Sequence, residues 1–379
     1  MKGKNFNIPA EKCRVLVAPL DWGLGHATRC IPVIFKLLEQ GCEVIIAAEG
    51  AVKFLLEKEF PGLAFIELSG YRVRYSRSKW LMPAKLLLQF PALAYRIYSE
   101  NKWLKLVVEE HKIDAVISDN RMGLYHKRIP AVYITHQLQI KTGSRFTDRL
   151  LQKIHYHFIN KFTSCWVPDA EGEINLAGEL AHPAVLPAIP VVYIGALSRF
   201  EKKQSVLRYD LCILLSGPEP QRTVFEEIIL EELHAFSGPV ILIRGLPGNE
   251  TMPPIHNTNI EVKNHLAAAE LNTILLQSKI IICRSGYTSI MDLVKLQKNA
   301  ILVPTPGQTE QEYLAIYLQQ QKLFCSLQQH LLSLEAVKKA AGFAFAEIDF
   351  PLNNYEKVIE DLVQPLQNRI NKTGIYIPS

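Results

Sequence analysis

No stretch of about 18 uncharged apolar residues occurs along the 379 residues, so no segment reads as a membrane span. CxxC pairs are absent too. The seven cysteines, at 13, 30, 42, 165, 212, 283 and 325, stand singly, which argues against a zinc site or a disulfide framework and suggests buried thiols in a reducing compartment. Neither sign of charge dominates: a net charge of +5 is far below that of a nucleic-acid binder. The opening MKGKNFNIPAEKC lacks the apolar core of a secretory signal. A cytoplasmic protein is expected, either free or peripheral on the inner face of the cell membrane. What is present, 48% hydrophobic and 21% charged residues over this length, fits a folded chain of two domains.

Short apolar runs alternate with longer segments of helical period, the pattern of parallel α/β layers. Strands are expected at Arg14–Pro19, Glu43–Ala48, Ala64–Leu68, Ala115–Ser118, Ala131–Thr135 and Ser164–Val167. Around 182–205 the proline-rich HPAVLPAIPVVYIGALSRFEKKQ reads as a connector. A second series follows, with strands at Leu211–Leu215, Val240–Ile243, Ile280–Cys283 and Ala300–Val303 and a helix over Thr223–Phe236. The expected division is a first Rossmann-like domain over 1–190, a second over 200–350, and a C-terminal helix within 351–379 that returns to the first. Tandem domains of this kind bind ligands in the crevice at the carboxyl ends of their strands.

Three strand-to-helix turns there carry chemistry. Gly23-Leu24-Gly25-His26 follows the first strand, and its glycines let backbone N–H groups approach an anion at a helix N-terminus. An imidazole at His26 is placed to serve as a general base; the alternative is a histidine capping its turn. Cys283-Arg284-Ser285-Gly286-Tyr287-Thr288 repeats the arrangement in the second half, with hydroxyls and N–H groups for a diphosphate. Asp292 lies one helical turn beyond Thr288, where a carboxylate can accept both hydroxyls of a ribose; a capped helix with a surface Asp is the alternative. The third turn, PTPGQTEQE from Pro304, offers Gln311 and Glu312 to sugar hydroxyls, or is simply a solvated helix start.

Together these elements resemble the MurG-like glycosyltransferases with a family 28 type C-terminal domain. The stretch CRSGYTSIMDLVKLQKNAILVPTPGQTEQEYLA is similar to that family's donor-binding signature, and GLGH stands where the family has its GGTGGH turn. The resemblance implies an α/β GT-B fold, two doubly wound Rossmann-like domains facing a central cleft, and inverting transfer of a hexose or N-acetylhexosamine from a UDP-sugar. It implies no cofactor beyond the UDP-sugar donor and no metal, in keeping with the lack of a DxD motif.

By the same resemblance, Asp292 takes the ribose-binding position, where the family usually has Glu, and Gln311 and Glu312 fall on a sugar-contacting Gln-Gln pair. Ser216 and Gly217 match a glycine pair, with Pro218 replacing a phosphate-contacting serine. Arg199 matches a basic residue facing the diphosphate. His265 and Leu266 match the loop that reads uracil through its backbone, and Gln139 stands near a donor-contacting Asn. Ser285, Gly286, Tyr287 and Thr288 form the diphosphate turn of the second half, and Gly23 and Gly25 that of the first. His26 is the expected base, with His136 and Asp119 as alternatives.

Residues 71–105 hold Arg72, Arg74, Arg77, Lys79, Lys85, Arg96, Lys102 and Lys105 against the single acid Glu100, with aromatic and apolar residues between them. This suits docking to an anionic membrane carrying a lipid-linked acceptor, or a helix whose apolar face packs on the first sheet. A nucleotide-sugar 2-epimerase, which shares the fold, and a non-catalytic nucleotide-sugar binding subunit are the competing functions. An NAD-dependent dehydrogenase fits poorly because GLGH lacks the GxGxxG spacing.

Overall fold

A computed structural model of the chain describes residues 12–71, 82–142, 144–246, 251–254 and 257–373. The apolar runs form two fully parallel sheets. The first has seven strands: β1 (Arg14–Pro19), β2 (Glu43–Ala48), β3 (Ala64–Glu67), β4 (Ala115–Asp119), β5 (Ala131–Ile134), β6 (Ser164–Val167) and β7 (Val191–Tyr193), ordered β3-β2-β1-β4-β5-β6-β7. The second has six: β8 (Tyr209–Leu214), β9 (Val240–Ile243), β10 (Ile260–Lys263), β11 (Ser278–Cys283), β12 (Ala300–Leu302) and β13 (Cys325–Ser326), ordered β10-β9-β8-β11-β12-β13. Both reverse direction beside their first strand, between β1 and β4 and between β8 and β11. That switch point is where a doubly wound sheet opens a crevice.

Helices cover both sheets, so the central strands are buried on both faces and read as unbroken apolar runs. Val15–Ala18 and Ile281–Ile282 have no exposed surface. The helix opened by GLGH is α1 (Leu24–Glu39), followed in order by α2 (Gly50–Glu59), α3 (Met82–Glu110) and α4 (Arg145–Ile159). The second half has α5 (Gln221–Glu232), α6 (Ala268–Gln277), α7 (Tyr287–Leu296), α8 (Thr309–Gln320) and α9 (Leu334–Ala341). The expected helix over Thr223–Phe236 corresponds to α5 plus a short 3₁₀ turn at Leu233–Ala235. The expected connector at 182–205 contains β7, which pairs in parallel with β6 at the sheet's edge.

The last helix, α10 (Asn354–Thr373), lies against α1. Lys36 Nζ is 3.1 Å from Glu360, and the Gln367 amide donates to the Gln40 carbonyl at 2.6 Å. The two sheets meet along their carboxyl ends. Thr288 Oγ1 donates to the Gly25 carbonyl at 3.2 Å, the Tyr287 hydroxyl to the Pro168 carbonyl at 2.8 Å, and the Tyr317 hydroxyl to Asn175 at 2.8 Å. A Cβ on Gly25 would stand 2.9 Å from Thr288 Oγ1, so glycine is what lets α1 and α7 approach this closely.

Of the basic stretch at 71–105, residues 72–81, with Arg72, Arg74, Arg77 and Lys79, lie outside the described residues. Its only acid, Glu100, is buried: it accepts from the Tyr71 hydroxyl and Arg121 Nε, each at 2.5 Å, and from the Gly123 N–H at 2.8 Å. Downstream on α3, Tyr95 and Tyr98 are exposed.

Candidate active site

The β1–α1 turn places His26 in the first turn of its helix. Gly23 N-caps that helix at φ 92°, a conformation a side chain would strain. Arg29 follows at i+3, on the same helix face. The neighbouring strand β4 ends in Asp119, and the next, β5, leads into His136. Three loops from adjacent carboxyl ends thus converge on one point, and a fourth element, the start of α8, meets them from the other sheet.

Asp119 has no exposed surface. Its Oδ2 accepts from Arg29 Nε at 2.8 Å and lies 3.1 Å from His26 Nδ1; its Oδ1 pairs with Arg29 Nη2. Burial alone would raise the carboxyl, but the guanidinium and the imidazole outweigh it and hold Asp119 at about 2. His26 is displaced downward, by burial first and by the Arg29 charge second, against the pull of Asp119. The imidazole is thereby biased to its neutral form, the form a base requires. Its Nε2 has no hydrogen-bond partner among the described residues.

His136 is committed at both nitrogens. Arg29 Nη1 lies 3.2 Å from its Nδ1, and Glu310 Oε1 lies 2.7 Å from its Nε2. A guanidinium only donates and a carboxylate only accepts, so in this geometry Nδ1 accepts and Nε2–H donates. The ring also stacks on Tyr287, with centroids 4.2 Å apart and planes 3° from parallel. Neither nitrogen is left for an acceptor, which separates His136 from His26 as a base.

On the second sheet, the Ser285 hydroxyl donates to the Gln311 carbonyl at 2.8 Å, and the Gln311 side-chain oxygen accepts the Thr305 N–H at 2.9 Å. Glu312 accepts the Gly307 N–H at 2.8 Å. These three expected ligand-binding side chains thus brace the two loops. Gly286 N-caps α7, whose first turn carries Tyr287 and Thr288. Asp292 accepts from the Ser198 hydroxyl at 2.5 Å and is raised to about 7 by burial, against the opposing effects of Ser198 and Arg199. Arg199 is lowered by burial, and its Nε is buried without a hydrogen-bond partner. Ser216, Gly217 and His265 are exposed, Leu266 is buried, and the Gln139 N–H donates to the Leu180 carbonyl at 2.9 Å.

A recess of about 390 Å³ opens beside the first turn, lined by Asp21, Gly23, Leu24, Glu49 and Val52 among others. Glu49, at the end of β2, accepts the Gly70 N–H at 2.6 Å and so ties down the segment after β3. Among the described residues, no group of three or more His, Cys, Asp or Glu side chains could hold a metal ion.

Arg29 and Glu310 were not singled out in the sequence. The available signal for Arg29 was its i+3 spacing from His26; for Glu310 it was the neighbouring Gln311-Glu312 pair, which drew attention one residue too far.

Residues 230–366 match the model of the glycosyltransferase family 28 C-terminal domain. No curated protein sequence matches the chain. Among solved structures, the glycosyltransferase of kitacinnamycin is 13% identical, with 96% of each chain covered and a TM-score of 0.62. MurG of Acinetobacter baumannii is 15% identical over 96% of this chain and all of its own, with a TM-score of 0.53. The spinosyn rhamnosyltransferase SpnG, complexed with thymidine diphosphate, is 15% identical over 95% of this chain and 99% of its own, with a TM-score of 0.57. At these identities the likeness establishes the fold, and the family 28 match adds the kind of domain built on it. The chain has a GT-B fold of MurG-like build, and residues 230–366 in its second half match a glycosyltransferase family 28 C-terminal domain.

Proposed function

We propose that this protein is an inverting, metal-independent transferase that moves a hexose or N-acetylhexosamine from a UDP-sugar to an acceptor hydroxyl. The observation that carries the reading is the His26–Asp119 pair, seated where the carboxyl ends of the two sheets face each other and beside the start of α7. His26 Nε2 takes the proton of the acceptor hydroxyl, while Asp119 holds Nδ1–H and offsets the charge that forms. The acceptor oxygen bonds to the anomeric carbon from the face opposite the diphosphate, the bond to the diphosphate oxygen breaks, and UDP leaves with that electron pair. Arg199 and the N–H groups opening α7 stabilise the departing charge.

Asp292 is the proposed ribose ligand. Calorimetric titration with UDP, GDP, thymidine diphosphate and NAD tests the donor. UDP is expected to bind most tightly, and Asp292→Ala to weaken it by roughly 1–3 kcal/mol, as for a lost charged hydrogen bond. Tighter binding of thymidine diphosphate would keep a transferase and change its donor; binding of none of the four would remove the reading.

Because burial holds Asp292 at about 7, its ionised form, the better acceptor for ribose hydroxyls, gains population as pH rises through 7. UDP affinity is therefore expected to improve between pH 6 and 8 in the wild type but not in Asp292→Asn. Stability runs the other way. A carboxyl raised above its unfolded value favours the fold at low pH and loses that contribution as pH rises through 7, so Asp292→Asn is expected to melt higher than wild type at pH 8.

The acceptor is proposed to be lipid-linked and reached by peripheral docking. Tyr95 and Tyr98 on α3 and Phe146, Leu150, Arg149 and Lys153 on α4 are exposed, and Leu93 and Ile97 of α3 and Phe158 of α4 belong to one small apolar cluster with Leu20 and Tyr71. Each basic residue near an anionic surface adds roughly 1 kcal/mol. Flotation with anionic liposomes is expected to carry the protein into the lipid layer and with neutral liposomes to leave it below; a protein that stays below with both is not membrane-docked. Among the described residues, no helix is long and apolar enough to cross a membrane.

A further inference from the structure

Five side chains from both halves of the molecule form one continuous chain of polar contacts: His26, Asp119, Arg29, His136 and Glu310. Arg29 is its centre. It is 2% exposed and lies on α1, yet two of its three partners come from β4 and from the loop after β5. A buried guanidinium with three separate partners is expensive to desolvate, and its fork fixes all three at once.

The conflict lies at His26 Nδ1. Asp119 Oδ2 stands 3.1 Å from it and accepts only, whereas Arg29 Nη2 stands 2.8 Å from it and donates only. If Nδ1 carries the proton, it donates to Asp119 and leaves the Nε2 lone pair free. If Nδ1 accepts from Arg29, the proton sits on Nε2 and the ring cannot act as a base there. The position of the guanidinium therefore selects between a competent and an incompetent imidazole.

We propose that Arg29 is the positioning residue of this centre, and that the His136–Glu310 contact across the seam couples its setting to the second half. Glu310 sits in the first turn of α8, on the second sheet's side. When it accepts from His136 Nε2–H, His136 Nδ1 is left with a lone pair that draws Arg29 Nη1 toward the seam. The fork then holds Asp119 through Nε, and Asp119 is held ready for His26 Nδ1–H. Loss of Glu310 frees the His136 tautomer and with it the pull on Arg29 Nη1, so the second half takes part in setting the guanidinium.

The groups acting on His26 are Arg29 from α1, Asp119 from β4 and His136 after β5, while Cys30 contacts Asp119, and Tyr287 and Glu310 from the other half contact His136. Of the cations among them, Arg29 is the one that lies beside Nδ1. Removing it leaves Asp119 to pull the imidazole upward.

The inference rests on the proposed role of His26, but its test does not need an acceptor. Imidazole nitrogen NMR on ¹⁵N-histidine-labelled protein, assigned with His26→Gln and His136→Gln, reads both tautomers and their titration. In wild type the neutral His136 ring is expected to carry its proton on Nε2. Arg29→Met is expected to move the His26 midpoint to higher pH, and Arg29→Lys to restore it, since the charge and not the packing is responsible. Glu310→Ala is expected to change the signals of both His136 and His26.

An unchanged His26 midpoint in Arg29→Met overturns the proposal. Should that variant not fold, a wild-type His136 protonated at Nδ1, or a His26 signal indifferent to Glu310→Ala, overturns it instead. UDP titration reads the donor site separately: coupled histidines in a protein that binds no nucleotide would sink the proposed function and keep the relay.

Discussion

His26→Ala is expected to lower turnover by on the order of 10²–10⁴ while UDP affinity stays nearly constant. The loss corresponds to roughly 3–5 kcal/mol of barrier, the share a positioned base removes by taking a proton as the new bond forms. The imidazole sits on α1, whereas Asp292 and Arg199, the proposed ribose and diphosphate ligands, lie on α7 and the segment before β8. Truncating it takes away no group that touches UDP. Among the described residues its Nε2 has no partner, while both nitrogens of His136 are engaged, so His136→Ala should act differently: it breaks the seam contact with Glu310 and the link to Arg29. UDP release from the donor, followed with and without acceptor and combined with calorimetry, separates the cases. A His26→Ala protein with wild-type turnover would transfer the role of base elsewhere; one with intact turnover per bound donor but poor UDP affinity would make His26 a donor ligand.

Much of the framework was legible because it rests on local rules. β1, β2, β6 and β9 occupy the expected spans, each an apolar run bounded by a charge, a turn or a proline. α1 ends at Glu39, with Gly41 at φ 77° just beyond it. The losses were also local in origin. β7 is three residues between Pro190 and Gly195, and β13 only two; each owes its existence to the neighbouring strand and has too few residues to show a period. Arg29 was illegible for a different reason. An arginine on an amphipathic helix ordinarily faces water, and what buries this one is a carboxylate 90 positions away and a histidine 107 positions away. Glu310 meets His136 across 174 positions. Motif reading found the turns, since glycines and helix starts are contiguous in sequence. It missed the side chains that join the turns to one another.

Asp119→Asn is expected to be more damaging to the reaction than its near-identical shape suggests. An amide in place of the carboxylate still fills the site, but it no longer balances the Arg29 charge or competes for the proton on His26 Nδ1. Arg29 Nη2, 2.8 Å from Nδ1, then donates to it and leaves the proton on Nε2, where the acceptor hydroxyl needs a lone pair. Holding a histidine base in the wrong tautomer costs a rate factor on the order of 10⁴. The imidazole also loses the one neighbour that raises it, so it stays neutral to lower pH; the defect is one of tautomer, not of charge. Raising the pH therefore should not rescue turnover, which distinguishes this mechanism from simple protonation of the base.

Asp119→Ala adds a stability cost. It leaves a guanidinium with 2% exposed side chain without its counter-charge, an arrangement that typically costs about 3–5 kcal/mol. The wild type carries the matching signature in acid. A carboxyl held at about 2 contributes stability that is complete above its ordinary value near 4 and is lost as pH falls through 2, some 2 kcal/mol in all. Urea unfolding across pH 5 to 2 should show that decline in wild type and a shallower one in Asp119→Asn. Parallel curves for the two proteins, or turnover in Asp119→Asn that recovers at high pH, would mean that Asp119 is not the group that holds His26 in its working form.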